Sequence, residues 1–184
     1  MNSWKWAKNM ATATTETATS LAGTNNILAE AVVHSVEKAL TMCGTSARCV
    51  GVARVPLREN GLVTGIIGVH GRVSGFITVN MSETMAINVV EGLLQEEFGK
   101  LTSQIVDGAG ELTNMICGGI KSQLSKTTFS FQGITVPSVI VGAGYQMAFA
   151  RGLEFVSASF EHDNSEAIML DDRLLSVSMC FLKL

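Results

Sequence analysis

GELTNMICGGIKSQL, residues 110–124, places an acid, an amide, a glycine pair and a lysine inside a segment that otherwise has the spacing of an apolar helix. The helical pattern extends from about Thr102 to Lys126. At about 100° per residue, Ile105, Ala109, Leu112, Ile116, Ile120 and Leu124 fall in one broad arc suited to a core, while Asp107, Glu111, Asn114, Gly118 and Lys121 collect on the opposite arc. Asn is a mediocre helix former and Gly is worse than Ala by about 1 kcal/mol, so a face chosen for helix stability alone would hold Ala, Lys, Glu or Gln at 114 and 118. Glu111 and Asn114, one turn apart, are therefore the first candidates for chemistry. Spacing by itself is weak: a second E-x-x-N quartet, Glu161-His162-Asp163-Asn164, falls where a hairpin turn is expected and reads as structural.

Upstream, the run NNILAEAVVHSVEKALTM, residues 25–42, carries Ile27, Ala31, Val32, Val36, Ala39 and Leu40 at helical spacing behind an Asn cap. The segments RCVGVARVPL, LVTGIIGVHG and RVSGFITVN then alternate and are rich in Val and Ile, with Asn60-Gly61 and His70-Gly71 as turns, which predicts a three-stranded antiparallel meander. Ser82 caps a second helix with Met85, Val89, Val90, Leu93 and Leu94 on one face. After the third helix, residues 129–144, 152–162 and 173–184 return to strand-like patterns.

The order helix, strands, two helices, strands predicts an α+β domain over residues 25–184, with helices packed on one face of an antiparallel sheet and two pseudo-symmetric halves. Aligning Lys38-Ala39 with Lys121-Ser122 sets Leu28 and Ala31 opposite Glu111 and Asn114, so the first half lacks the acid–amide pair. Residues 1–24, dominated after Met10 by alternating Thr and Ala, read as a flexible tail; Trp4 and Trp6 leave a docking peptide or a membrane-touching anchor as the alternative.

With 184 residues, 47% hydrophobic and 16% charged, the chain has apolar material for one full core. A net charge of −3 without a Lys/Arg run argues against nucleic acid or an anionic membrane surface as partner. No apolar run reaches membrane-spanning length, and Thr, Glu16 and Ser interrupt any signal-like centre, so a cytoplasmic protein is expected. Cys43, Cys49, Cys117 and Cys180 lack metal-ligand spacing and read as small core residues of a reducing compartment. His34, His70 and His162 likewise form no metal set. Gly118-Gly119-Ile120-Lys121-Ser122 is no phosphate loop, because Ile120 separates glycine from lysine and the stretch lies within a helix.

Residues 107–125, DGAGELTNMICGGIKSQLS, resemble the signature helix of the CheC, CheX and FliY chemotaxis phosphatases, in which E-x-x-N is followed by small residues, Gly and Lys. GFITVNMSETMA, residues 75–86, is similar to that family's strand leading into an S-x-x-x-A helix start, and TVPSVIVG, residues 135–142, to its P-x-V-I-x-G strand. The resemblance covers about residues 26–184, and the single motif is similar to the CheX branch. It implies a homodimeric phosphatase for the phosphoaspartate of a CheY-like receiver domain, with no cofactor of its own and Mg supplied by the receiver. Asn114 would orient the attacking water, Glu111 would pair with the receiver's lysine, and Asp107, Gly118 and Lys121 would face the receiver, Lys121 having the alternative of an ordinary solvated helix lysine. The long apolar pattern RLLSVSMCFLKL supports a dimer if it, or a neighbouring strand, is a free edge needing cover. A receiver-binding or flagellar-switch-like module without catalysis is the alternative function.

Overall fold

In a computed structural model of the chain, residues 26–56, 60–145, 147, 149, 151–163 and 167–183 are described. The expected tail at 1–24, with Trp4 and Trp6, and Asn164 of the second quartet lie outside the described residues. Helix α1 (residues 26–42) turns Leu28, Ala31, Val32, Val36, Ala39 and Leu40 inward at i, i+3, i+4 spacing. Strands β1 (Ala47–Ala53), β2 (Val63–Gly71) and β3 (Val73–Met81) follow, then α2 (Glu83–Leu94) and α3 (Ser103–Leu124). Strands β4 (Phe131–Ile134), β5 (Ser138–Val141), β6 (Glu154–His162) and β7 (Leu174–Lys183) complete one seven-stranded antiparallel sheet.

The α+β class and the helix-covered sheet are as expected. Alternate residues of the long strands, including Val63 and Ile67 on β2, Ile77 and Val79 on β3, Val156 and Ala158 on β6, and Val177 and Met179 on β7, join the buried residues of all three helices in one core. Each fully buried Leu or Ile there contributes about 1.5–3 kcal/mol relative to exposure. Ser82 caps α2 by accepting the Met85 N–H at 3.0 Å and donates to Asp172 O at 2.8 Å, so the S-x-x-x-A start also ties α2 to the turn before β7.

Several expectations need correction. The predicted meander is only a hairpin: β2 pairs β3 across the His70-Gly71 turn, but β1 lies at the far edge of the sheet, paired with β6. The Asn60-Gly61 turn chemistry is spent on β3, where Asn80 accepts from Gly61 N at 2.9 Å and returns its amide to Gly61 O at 3.1 Å. The side of β2 that β1 would have used is filled by β4 and β5, which Pro137, lacking an N–H, separates into two short strands. The sheet order is β1-β6-β7-β3-β2, ending in the β4 and β5 pair.

The final strand is no free edge, since β7 lies between β3 and β6. A dimer argument based on covering β7 therefore fails; the exposed edges belong to β1 and to β4 and β5. Ile27 and Leu94, predicted to face the core, are exposed, Ile27 in the first turn of α1 and Leu94 as the last residue of α2. Cys43, Cys117 and Cys180 are buried as expected, but Cys49 on the edge strand is only partly so.

A candidate partner-facing site on helix α3

Helix α3 begins at Thr102, whose hydroxyl accepts the Ile105 N–H at 3.3 Å, and carries Lys121 in its last turn, where a cation suits the carbonyl end. All six residues assigned to the core arc are buried, and so are Gly108, Gly110, Thr113 and Cys117. The reason is close approach. A Cβ on Gly108 would come within 2.3 Å of a Val90 methyl on α2, and one on Gly119 within 2.9 Å of Ser35 on α1. Helix α3 is thus gripped by both other helices as well as the sheet, and its outward strip is narrow.

The predicted residues occupy that strip. Asp107, Glu111 and Gly118 are exposed, while Asn114 and Lys121 are half-buried. Among the described residues, neither Glu111 nor Asn114 has a side-chain hydrogen bond or ion pair, so both can meet a partner. Side chains three apart on a helix are neighbours, and a helix held on three sides fixes their separation. Asp107 and Lys121 are not brought together: fourteen residues place them about 21 Å apart along the axis.

Asp107 and Glu111 border a hollow of about 340 Å³, whose other walls are Val106, Gly110, Pro137 and Val139. Pro137 and Val139 were not singled out as site residues from the sequence, although the P-x-V strand carrying them was marked by the resemblance. Two carboxylates at the rim of an aliphatic trough match a lysine side chain, with its methylenes on Pro137 and Val139 and its ammonium at the acids.

The alignment of α1 with α3 needs correction, because Leu28 and Ala31 are buried whereas Glu111 is exposed. Matching the buried faces instead sets Leu28 with Ala109, Ala31 with Leu112 and Ala39 with Ile120. Glu30 and Val33 then stand where α3 has Glu111 and Asn114, so α1 keeps an acid and lacks the amide.

The second quartet is differently occupied. Glu161 accepts from Arg48 Nη2 at 2.7 Å and pairs with Arg173 Nη2 at 3.1 Å, tying β1, β6 and the turn before β7 together. The hydrogen bond from Arg48 holds the Glu161 carboxyl below the ordinary range. His162 bonds Thr45 through Nε2, and burial pushes its pKa down against the opposing charge of Asp163. A hollow of about 530 Å³ lies here, larger than the one beside Glu111, but its carboxylate already bridges two guanidiniums. Structural use of Glu161 is the result.

Among the described residues, no group of three His, Cys, Asp or Glu side chains is placed to hold a metal ion. Also among them, no helix is long and apolar enough to cross a membrane.

Comparison with known proteins bears on the fold and the family. The chain is 25% identical to a CheX chemotaxis protein from Desulfovibrio desulfuricans, with 84% of this chain and 99% of that one covered and a TM-score of 0.71. A chemotaxis protein from Desulfovibrio vulgaris Hildenborough is also 25% identical, covering 84% of this chain and 96% of its own at a TM-score of 0.70. CheX of Borrelia burgdorferi, solved as a complex with CheY, BeF3 and Mg, shares the fold at a TM-score of 0.64 and 20% identity, with 85% and 96% of the two chains covered. No curated protein sequence matches. The family described as Chemotaxis phosphatase CheX matches residues 63–161, which span β2 to β6 and all of α3. With more than half its length matched by the family model, and with the fold of a CheX protein shared over 84% of it, the chain belongs to the CheX family.

Proposed function

We propose that the chain hydrolyses the phosphoaspartate of a CheY-like receiver domain, using Asn114 to position water and Glu111 to pair with a lysine of the receiver. The observation that carries this is the exposed Glu111, unpaired among the described residues, and the half-buried Asn114, one turn apart on a helix gripped on three sides. Phosphoryl transfer depends chiefly on positioning and electrostatics, and a carboxamide can accept from one water hydrogen and donate to the phosphoryl group without ionising. The water oxygen attacks phosphorus in line, the bond from phosphorus to the aspartate oxygen breaks, and the aspartate leaves as carboxylate. Inorganic phosphate carries away the added oxygen, and the water proton passes to phosphate or solvent.

The trough beside Glu111 supplies the counterpart to a receiver lysine, and Asp107 doubles its negative charge. Gly118 leaves room for the receiver's backbone, and Lys121 extends the same contact. Magnesium in this reading belongs to the receiver, and the complex from Borrelia burgdorferi contains CheY with BeF3 and Mg.

The test is the lifetime of a CheY-type receiver phosphorylated by a small phosphodonor. Adding this chain shortens the lifetime catalytically, and Glu111→Ala weakens binding and rate together. A chain that binds the phosphoreceiver but leaves its lifetime unchanged is a docking module.

A further inference from the structure

Beyond the acid–amide pair, toward α1, a second hollow of about 290 Å³ opens between the helices. Its walls include Lys38 and Met42 of α1, and Met115, Gly118 and Gly119 of α3. Gly119 creates it by letting α1 come close at Ser35, and Gly118 keeps it open, since a Cβ there would meet nothing within 4 Å. Met42 is 63% exposed, an unusual position for a large apolar side chain, and Met115 is half-buried opposite. Methionine walls adapt to varied apolar shapes.

Resting on the proposed function, we infer that this α1–α3 notch is the receiver's second point of attachment, accepting an apolar side chain carried near the phosphorylated aspartate. Position is the reason. Met115 adjoins Asn114 in sequence, and Gly118 lies about 6 Å along the axis from it, so a domain seated over Asn114 also covers the notch. Charge sets a requirement on that occupant. The strip is acidic at Asp107 and Glu111 and basic at Lys121, with Lys38 on the α1 side, so a receiver seated here has to present the reverse polarity across an apolar contact. The pair at 111 and 114 would supply the chemistry, and the notch would select which receiver is served.

Binding to a beryllofluoride-loaded receiver, together with steady-state dephosphorylation, tests this. Met42→Glu places a charge in the notch without touching Glu111 or Asn114, and raises Kd and KM by about tenfold while kcat at saturating receiver is retained. Gly118→Leu fills the notch from α3 and raises Kd by a similar factor while Tm is kept or increased, because Leu favours helix over Gly. Met42→Leu, which preserves an apolar wall, binds like wild type. Kd within twofold of wild type for both Met42→Glu and Gly118→Leu overturns the inference. So does a change in oligomeric mass for Gly118→Leu with receiver affinity unaltered, which would assign the notch to a second copy. If wild type binds the receiver without accelerating hydrolysis, the proposed function fails while the Kd comparison still judges the notch; a wild type that does not bind overturns both.

Discussion

Two glutamates in identical four-residue patterns have opposite circumstances here. Glu161 is held by Arg48 and Arg173, whereas Glu111 stands exposed and unpaired among the described residues beside an aliphatic trough. Glu161→Gln should therefore lower Tm, and Glu111→Gln should leave it unchanged, as thermal unfolding of the two variants would show. The same scale governs the thiols. Burial pushes Cys43 and Cys180 up to about 11 and Cys117 up to about 12, so these remain protonated where an ordinary thiol begins to ionise. Their raised folded-state values give a contribution to stability that is complete below about pH 9 and is lost as pH rises toward 11 and 12. Native-state labelling with a disulfide reagent near pH 8 should reach the partly buried Cys49 first and the other three only on unfolding; fast labelling of Cys117 would contradict the packing of α3.

At the level of elements, the helices were legible because their periodicity extends over several turns, and the Thr102 and Ser82 caps confirm where two of them begin. Strand pairing was less so. Alternation identifies a strand but not its neighbour, and Asn60-Gly61 suggested a local hairpin when its partner was Asn80 on β3. The outward strip of α3 was readable from its 100° periodicity, while Pro137 and Val139 of the trough were not, since only folding brings β5 beside α3. The glycines divide likewise: 118 is open, but 108 and 119 are contact points that sequence cannot separate from it. Gly108→Ala should cost about 1–3 kcal/mol through overpacking against Val90. Adding Val90→Ala should recover part of that cost in a double-mutant cycle. Gly118→Ala, with free space around it, should gain up to about 1 kcal/mol. Equal effects at 108 and 118 in denaturant melts would refute the helix packing.

For the whole molecule, the central position of β7 leaves β1 at one edge of the sheet and β4 with β5 at the other. Edge strand β1 exposes Val50 and Val52, and the opposite edge exposes Ile140 and Val141. Sedimentation at micromolar concentration tests the dimer that family membership leads us to expect, with twice the 19.5 kDa chain mass as the predicted result and a fully active monomer as the contrary one. The fold serves the proposed chemistry by holding one face of α3 rigid, so that a receiver supplies the phosphoryl group and this chain supplies an oriented amide. The most direct measurement is therefore the decay of a receiver phosphoaspartate under saturating Asn114→Ala protein, with binding to the beryllofluoride-loaded receiver measured in parallel. Binding should persist while acceleration falls by about 100-fold or more toward the receiver's own rate; wild-type acceleration by Asn114→Ala would contradict the assignment.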